Sequence, residues 1–300
     1  MPVLTCGLEE PEIAEFPQLF TMKHFQTFSL LSAVLLAATS PLPAQDVDPK
    51  NIVPAPDENA IVPEWQMAYE NLKEEVRKKY SGHLYEASRL FNQKRVIESL
   101  NELAEAEKLF DQGPAALNLR GACYVEFRNF EGARTAFQKA LELQQAYLKD
   151  ITAVRGEERL RRMRPVINIL FNLAEMDFVT GQWRQCHDRI EKLLPKLDPK
   201  NISMARLIEF KFLLCKLKLN QVGEARKLAA KYDYLDDNPF YYYANAAIAF
   251  FDDDTDAAER WRSSARRVFR RPQVLASWED TLIEFGYVKS FYGGDLAEDE

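Results

Sequence analysis

Pro114–Leu143 reads PAALNLRGACYVEFRNFEGARTAFQKALEL. Apolar residues fall three and four apart on both sides of a polar break at Arg128-Asn129, which is the pattern of two amphipathic helices joined by a tight turn. Gly121 stands in the first helix, and Ala133 and Ala140 stand in the second. Two antiparallel helices approach closely only where small side chains face each other. The stretch therefore reads as one closely packed helix pair.

The same steps, 12 residues and then 7, recur through the chain. They link Ala87, Ser99 and Ala106; Gly121, Ala133 and Ala140; Ala174, Cys186 and Leu193; Leu213, Ala225 and Tyr232; and Ala246, Ala258 and Ala265. A period of about 34 residues is the length of a helix pair in a stacked array. The pattern resembles the tetratricopeptide repeat (TPR) family, in which small residues stand at positions 8, 20 and 27 of each unit. Leu117, Gly121, Tyr124, Ala133, Phe137 and Ala140 fit that family's pattern best, and Gly181 and Trp183 fit its inter-helix turn. Leu213, Tyr232 and Arg262 depart from it in the last two units.

The resemblance implies an all-α fold, a right-handed α-solenoid of about five TPR-like helix pairs with N- and C-terminal capping helices. The units run 80–113, 114–147, 167–200, 206–238 and 239–272 within a repeat region of 80–272, with an insertion at 148–166. Residues 64–79 read as an extra N-terminal helix after Pro63. Residues 273–300 read as a capping helix, N-capped by Ser277, and an acidic tail. Ala87, Ser99, Ala106, Gly121, Ala133, Ala140, Ala174, Cys186, Ala225, Ala246, Ala258 and Ala265 are the expected repeat-packing residues.

Ahead of the repeats, Met22-Lys23-His24-Phe25 and the apolar run to Ala38 read as a signal peptide at 22–44, with the mature chain starting at Gln45 or Asp46. Residues 1–21 carry four glutamates and read as an extension ahead of the true start. Residues 45–63, with four prolines, read as a linker or arm. Export to the periplasm or cell exterior follows, with no integral membrane span after cleavage.

Composition leans against several activities. The 300 residues are 47% hydrophobic and 28% charged, with a net charge of −7, which gives no global attraction to nucleic acid. Four cysteines and three histidines supply neither a disulfide scaffold nor metal-ligand spacing. No catalytic residue, metal site or cofactor is expected, and the chain reads as a non-enzymatic scaffold. Cys123, Cys186 and Cys215 read as buried packing residues, with a Cys186–Cys215 disulfide as the sharper alternative. His83 and His187 read as ordinary helix residues.

In the family, the first helices of the units line a concave groove. By that resemblance the groove here carries Leu84, Phe91, Val125, Phe171, Phe178, Phe210, Leu214, Tyr243 and Phe250. So many large apolar groups suit capture of an apolar peptide or helix of a partner protein. In that case Phe171, Phe210 and Tyr243 are partly exposed in the free chain. The alternative is that the protein's own arm or terminal helix fills the groove. Two arginine clusters, Arg155–Arg164 and Arg260–Arg271, offer a second route to a function, association with the cell envelope through basic faces, against a plain solvated face.

Overall fold

The computed structural model describes residues 62–146 and 156–289. The signal-like run, the arm, residues 147–155 and the acidic tail lie outside them. Twelve α-helices make up the described fold, and no β-strand occurs among the described residues. They are α1 (Glu64–Glu70), α2 (Glu74–Asn92), α3 (Val96–Leu109), α4 (Pro114–Glu126), α5 (Phe130–Leu143) and α6 (Gly156–Val179), followed by α7 (Trp183–Leu193), α8 (Ile202–Lys218), α9 (Val222–Ala229), α10 (Phe240–Phe251), α11 (Thr255–Val268) and α12 (Pro272–Phe285).

Helices α2 and α3, α4 and α5, α6 and α7, α8 and α9, and α10 and α11 pair, and each pair packs on the next. The result is an all-α solenoid of TPR-like helix pairs. The expected crossing residues meet where small side chains are needed, and all twelve are buried. In two units, position 20 reports the crossing directly. Ser99 Oγ donates to the Ala87 carbonyl at 2.8 Å, and Cys186 Sγ donates to the Ala174 carbonyl at 3.4 Å. At Gly121 a Cβ atom would sit 2.4 Å from the Phe137 ring, so the pair closes only on glycine.

The turn inside each pair shows the repeat most sharply. The fifteenth residue of every unit has a left-handed backbone: Lys94, Arg128, Gly181, Asn220 and Asp253, with φ of 61°, 55°, 69°, 61° and 60°. In each, the carbonyl of residue eleven accepts from the N–H of residue sixteen: Leu90 from Arg95, Tyr124 from Asn129, Asp177 from Gln182, Lys216 from Gln221 and Ala249 from Asp254, at 2.8–2.9 Å. That bond closes a Schellman-type helix end. Units four and five share it despite Leu213, Tyr232 and Arg262, so the register holds through the degenerate units.

The ends differ from the sequence reading. Residues 64–79 are not one helix: the chain breaks at 71–73, and Glu74–Lys79 extends the first helix of unit one. The last helix starts at Pro272, five residues before Ser277, because Pro at the first helical position is pre-organised for the helix and Ser277 is left in its interior. It stops at Phe285, where Gly286 takes a left-handed φ of 89°.

Candidate functional site: the concave groove

The groove residues of units three to five are in place but covered. Phe171, Phe210 and Tyr243, expected to be partly exposed, are 1%, 0% and 0% exposed. Phe178 and Leu214 are fully buried, and Phe250 is half-buried. The cover is α12, which leaves α11 and packs back against α6 and α8. The terminal helix, one of the occupants the sequence left open, is seated on Phe178, Phe210 and Tyr243, and the arm lies outside the described residues.

Helix α12 suits this place because Leu275, Trp278, Leu282 and Phe285 share one face, three to four residues apart, and all are buried. Trp278 lies 5.3 Å from Phe210, 5.6 Å from Tyr243 and 6.5 Å from Phe240 between ring centroids. Phe285 stacks on Phe178 at 6.0 Å and meets Trp183 edge-on at 5.3 Å. Beyond the helix, Tyr287 stacks on Phe250 at 5.2 Å. Burying each large apolar side chain contributes about 1.5–3 kcal/mol relative to leaving it in water.

Charge fixes the register of this contact. Glu279 accepts from Tyr243 Oη at 2.7 Å, from Arg262 Nη2 at 2.5 Å and from Arg266 Nη1 at 3.0 Å. Part of the second arginine cluster is therefore engaged inside the molecule. Burial and the adjacent Glu279 carboxylate push the Tyr243 phenol well above its usual range. Deeper in the groove, Lys211 Nζ lies 3.1 Å from Glu175 Oε2 and 3.3 Å from Glu284 Oε2, with the Phe178 ring 4.3 Å away.

In units one and two the expected groove is less open than its sequence suggests. Phe91 (7%) and Val125 (0%) are buried, Phe91 in the cluster around Leu103 and Leu119 and Val125 in the main core. Leu84 is half-buried, and its neighbour Tyr85 is 56% exposed.

The remaining candidates are quiet. Cys123, Cys186 and Cys215 are free and buried. Burial pushes the Cys123 thiol up to about 11, and contact with Cys215 followed by burial raises Cys186, which keeps both protonated and inert. His83 Nδ1 lies 2.7 Å from Glu102. His187, Asp188 and Glu191 cluster on α7, with Asp188 Oδ1 3.0 Å from His187 Nδ1 and the Lys216 ammonium 3.5 Å from the other ring nitrogen, Nε2.

Sequence reasoning marked Phe178, Phe210 and Tyr243 as one apolar row and missed the groups of α12 that cover it. Trp278, Leu282 and Phe285 were legible as an amphipathic face. Lys211, a cation flanked by Phe210 and Phe212 in the otherwise largely apolar run 207–217, was the signal for a buried ion cluster.

No family model matches the chain, and no curated protein matches it. The chain is similar to two solved structures at low identity. One is YrrB, described as a TPR protein with an unusual peptide-binding site: 15% identity, TM-score 0.44, covering 72% of this chain and 96% of that one. The other is PilF of Pseudomonas aeruginosa: 14% identity, TM-score 0.35, covering 69% and 98%.

Proposed function

We propose that the protein is a non-enzymatic protein-interaction scaffold, exported from the cytoplasm, whose concave groove binds an amphipathic helix of a partner. One observation carries this reading: the groove of units three to five already holds such a helix, seated by Trp278, Leu282 and Phe285 on the row that the repeat register assigns to ligand contact. The partner helix takes the place of α12, and its affinity comes from a few central aromatic anchors. Export rests on the signal-like run at 22–44. No described helix is long and apolar enough to cross a membrane.

The test is competition. Proteins captured from a cell-envelope extract by the purified chain are expected to be released by a synthetic peptide of residues 272–289. Capture that is indifferent to the peptide at saturating concentration overturns the groove reading. N-terminal sequencing of the protein from cells tests export, and an intact Met1 in the cytoplasm excludes it.

A further inference from the structure

Three buried ionisable groups meet beneath α12, and their charges do not balance. Lys211 of α8 is 1% exposed in its side chain, Glu175 of α6 is 1% exposed, and Glu284 of α12 is 10% exposed. Oε1 of Glu175 accepts no hydrogen bond. The other ionisable groups felt by the cluster are Arg128 in the α4–α5 turn, which acts on Glu284, and the Cys186 thiol of α7, itself in contact with Cys215 of α8. At this depth one ammonium compensates one carboxylate. A second ionised carboxylate would be left in apolar surroundings, where an unpaired charge is costly.

We propose that α12 is a proton-gated occupant of the groove: seated in mild acid, loosened towards neutrality, and thereby yielding the groove to a partner's amphipathic helix. The geometry supplies the gate, since Glu284 travels with α12 whereas Glu175 and Lys211 stay on the groove floor. Leaving the groove solvates Glu175 and ends its opposition to Glu284. The inference rests on the reading of the groove as the ligand site, and extends it to the regulation of that site.

The sign follows from proton linkage. Burial pushes the Glu175 carboxyl up to about 7, opposed by Lys211 and reinforced by Glu284. Burial also raises Glu284. Burial alone would lower Lys211, but Glu175 and Glu284 outweigh it, so the lysine stays protonated throughout. The seated state thus holds a proton that the released state, with Glu175 in water, gives up at the ordinary glutamate value of 4.5. The seated state has its full advantage below 4.5 and loses it as pH rises to about 7, at close to tenfold in the opening equilibrium per pH unit.

Hydrogen exchange of the α12 amides, corrected for intrinsic rate and measured on the chain as purified from cells between pH 5 and 7.5, tests the gate. Protection is expected to fall by about 50-fold over that range in the wild type. In Glu175→Gln, where an amide replaces the protonated acid, it stays flat. In Lys211→Met, with two carboxylates and no cation to hold either ionised, the fall steepens and extends to higher pH. A wild-type protection independent of pH, or a Glu175→Gln profile that keeps the wild-type slope, overturns the proposal. Binding of a labelled 272–289 peptide at millimolar concentration, enough to match the tethered helix, measured in the same samples at pH 7.5, separates the two readings. A working gate without peptide binding leaves the gate standing and removes the partner groove, and the reverse removes only the gate.

Discussion

Units one and two and units three to five share one turn and one set of crossing residues, yet their concave sides differ. In units one and two the corresponding row includes Ser81, Ser88, Asn92, Asn118 and Glu126, whereas α12 packs chiefly on α6 and α8 of units three and four. The apolar contacts of unit one, with one face of α4, form two small clusters, one around Leu103 and Leu119 and one around Tyr80 and Phe110, while the rest of unit two joins the larger core. In units three to five the row is aromatic, and a continuous core runs from Leu117 to Phe285 through α12. Stacking alone buries the faces between pairs, whereas an aromatic concave row needs a further occupant. The difference marks where the chain folds back on itself.

The largest expected effect breaks this comparison if it fails. Trp278→Ala removes the ring that Phe210, Phe240 and Tyr243 share and is expected to cost about 3–5 kcal/mol. Phe91→Ala, a buried ring in the uncovered half, is expected to cost a similar amount. Because neighbouring units of a solenoid couple only through their interfaces, the two variants should shift different segments of a urea-unfolding curve read by hydrogen exchange. An identical shift of all segments would make the halves one cooperative body.

A smaller effect sharpens the shared part. Gly121→Leu drives a side chain into the Phe137 ring and should destabilise by about 1–3 kcal/mol or more, read as a lowered melting temperature. An unchanged melting temperature would mean that this crossing is not close-packed.

The smallest effect has the opposite sign. Lys94 holds a left-handed backbone at a position where unit three uses Gly181. Lys94→Gly relieves a conformation that costs an ordinary residue about 1–2 kcal/mol. It also gives up the exposed pair with Glu126, worth about 0–1 kcal/mol, and leaves the unfolded chain with more freedom to lose. A net gain of up to about 1 kcal/mol in unit-one protection is expected. A loss would show that the strain at Lys94 is smaller than these opposing terms.

Much of this was readable before the structure. The 12-and-7 spacing picked out twelve small residues that are all buried, since steric closeness favours Gly, Ala, Ser and Cys, while Leu193, Leu213 and Tyr232 hold the same steps with large side chains. The turn residue was hidden in four of five units: only Gly181 is a glycine, and the Schellman bond imposes the left-handed backbone on Lys94, Arg128, Asn220 and Asp253. The groove row was legible as apolar at Phe178, Phe210 and Tyr243, but periodicity reports that a face must be covered and not by what. Glu175, Lys211 and Glu284 are distant in sequence, so their meeting is a product of the fold-back that no local pattern encodes.

The link between α11 and α12 is three residues long, Phe269 to Arg271. A helix on so short a tether revisits its groove at an effective concentration on the order of millimolar, whatever the amount of protein in solution. A free partner at micromolar levels must therefore bind the bare groove roughly a thousandfold more tightly than α12 does, or meet the chain after α12 has been weakened. The tether thus acts as a threshold, setting how strong a rival must be before the scaffold responds.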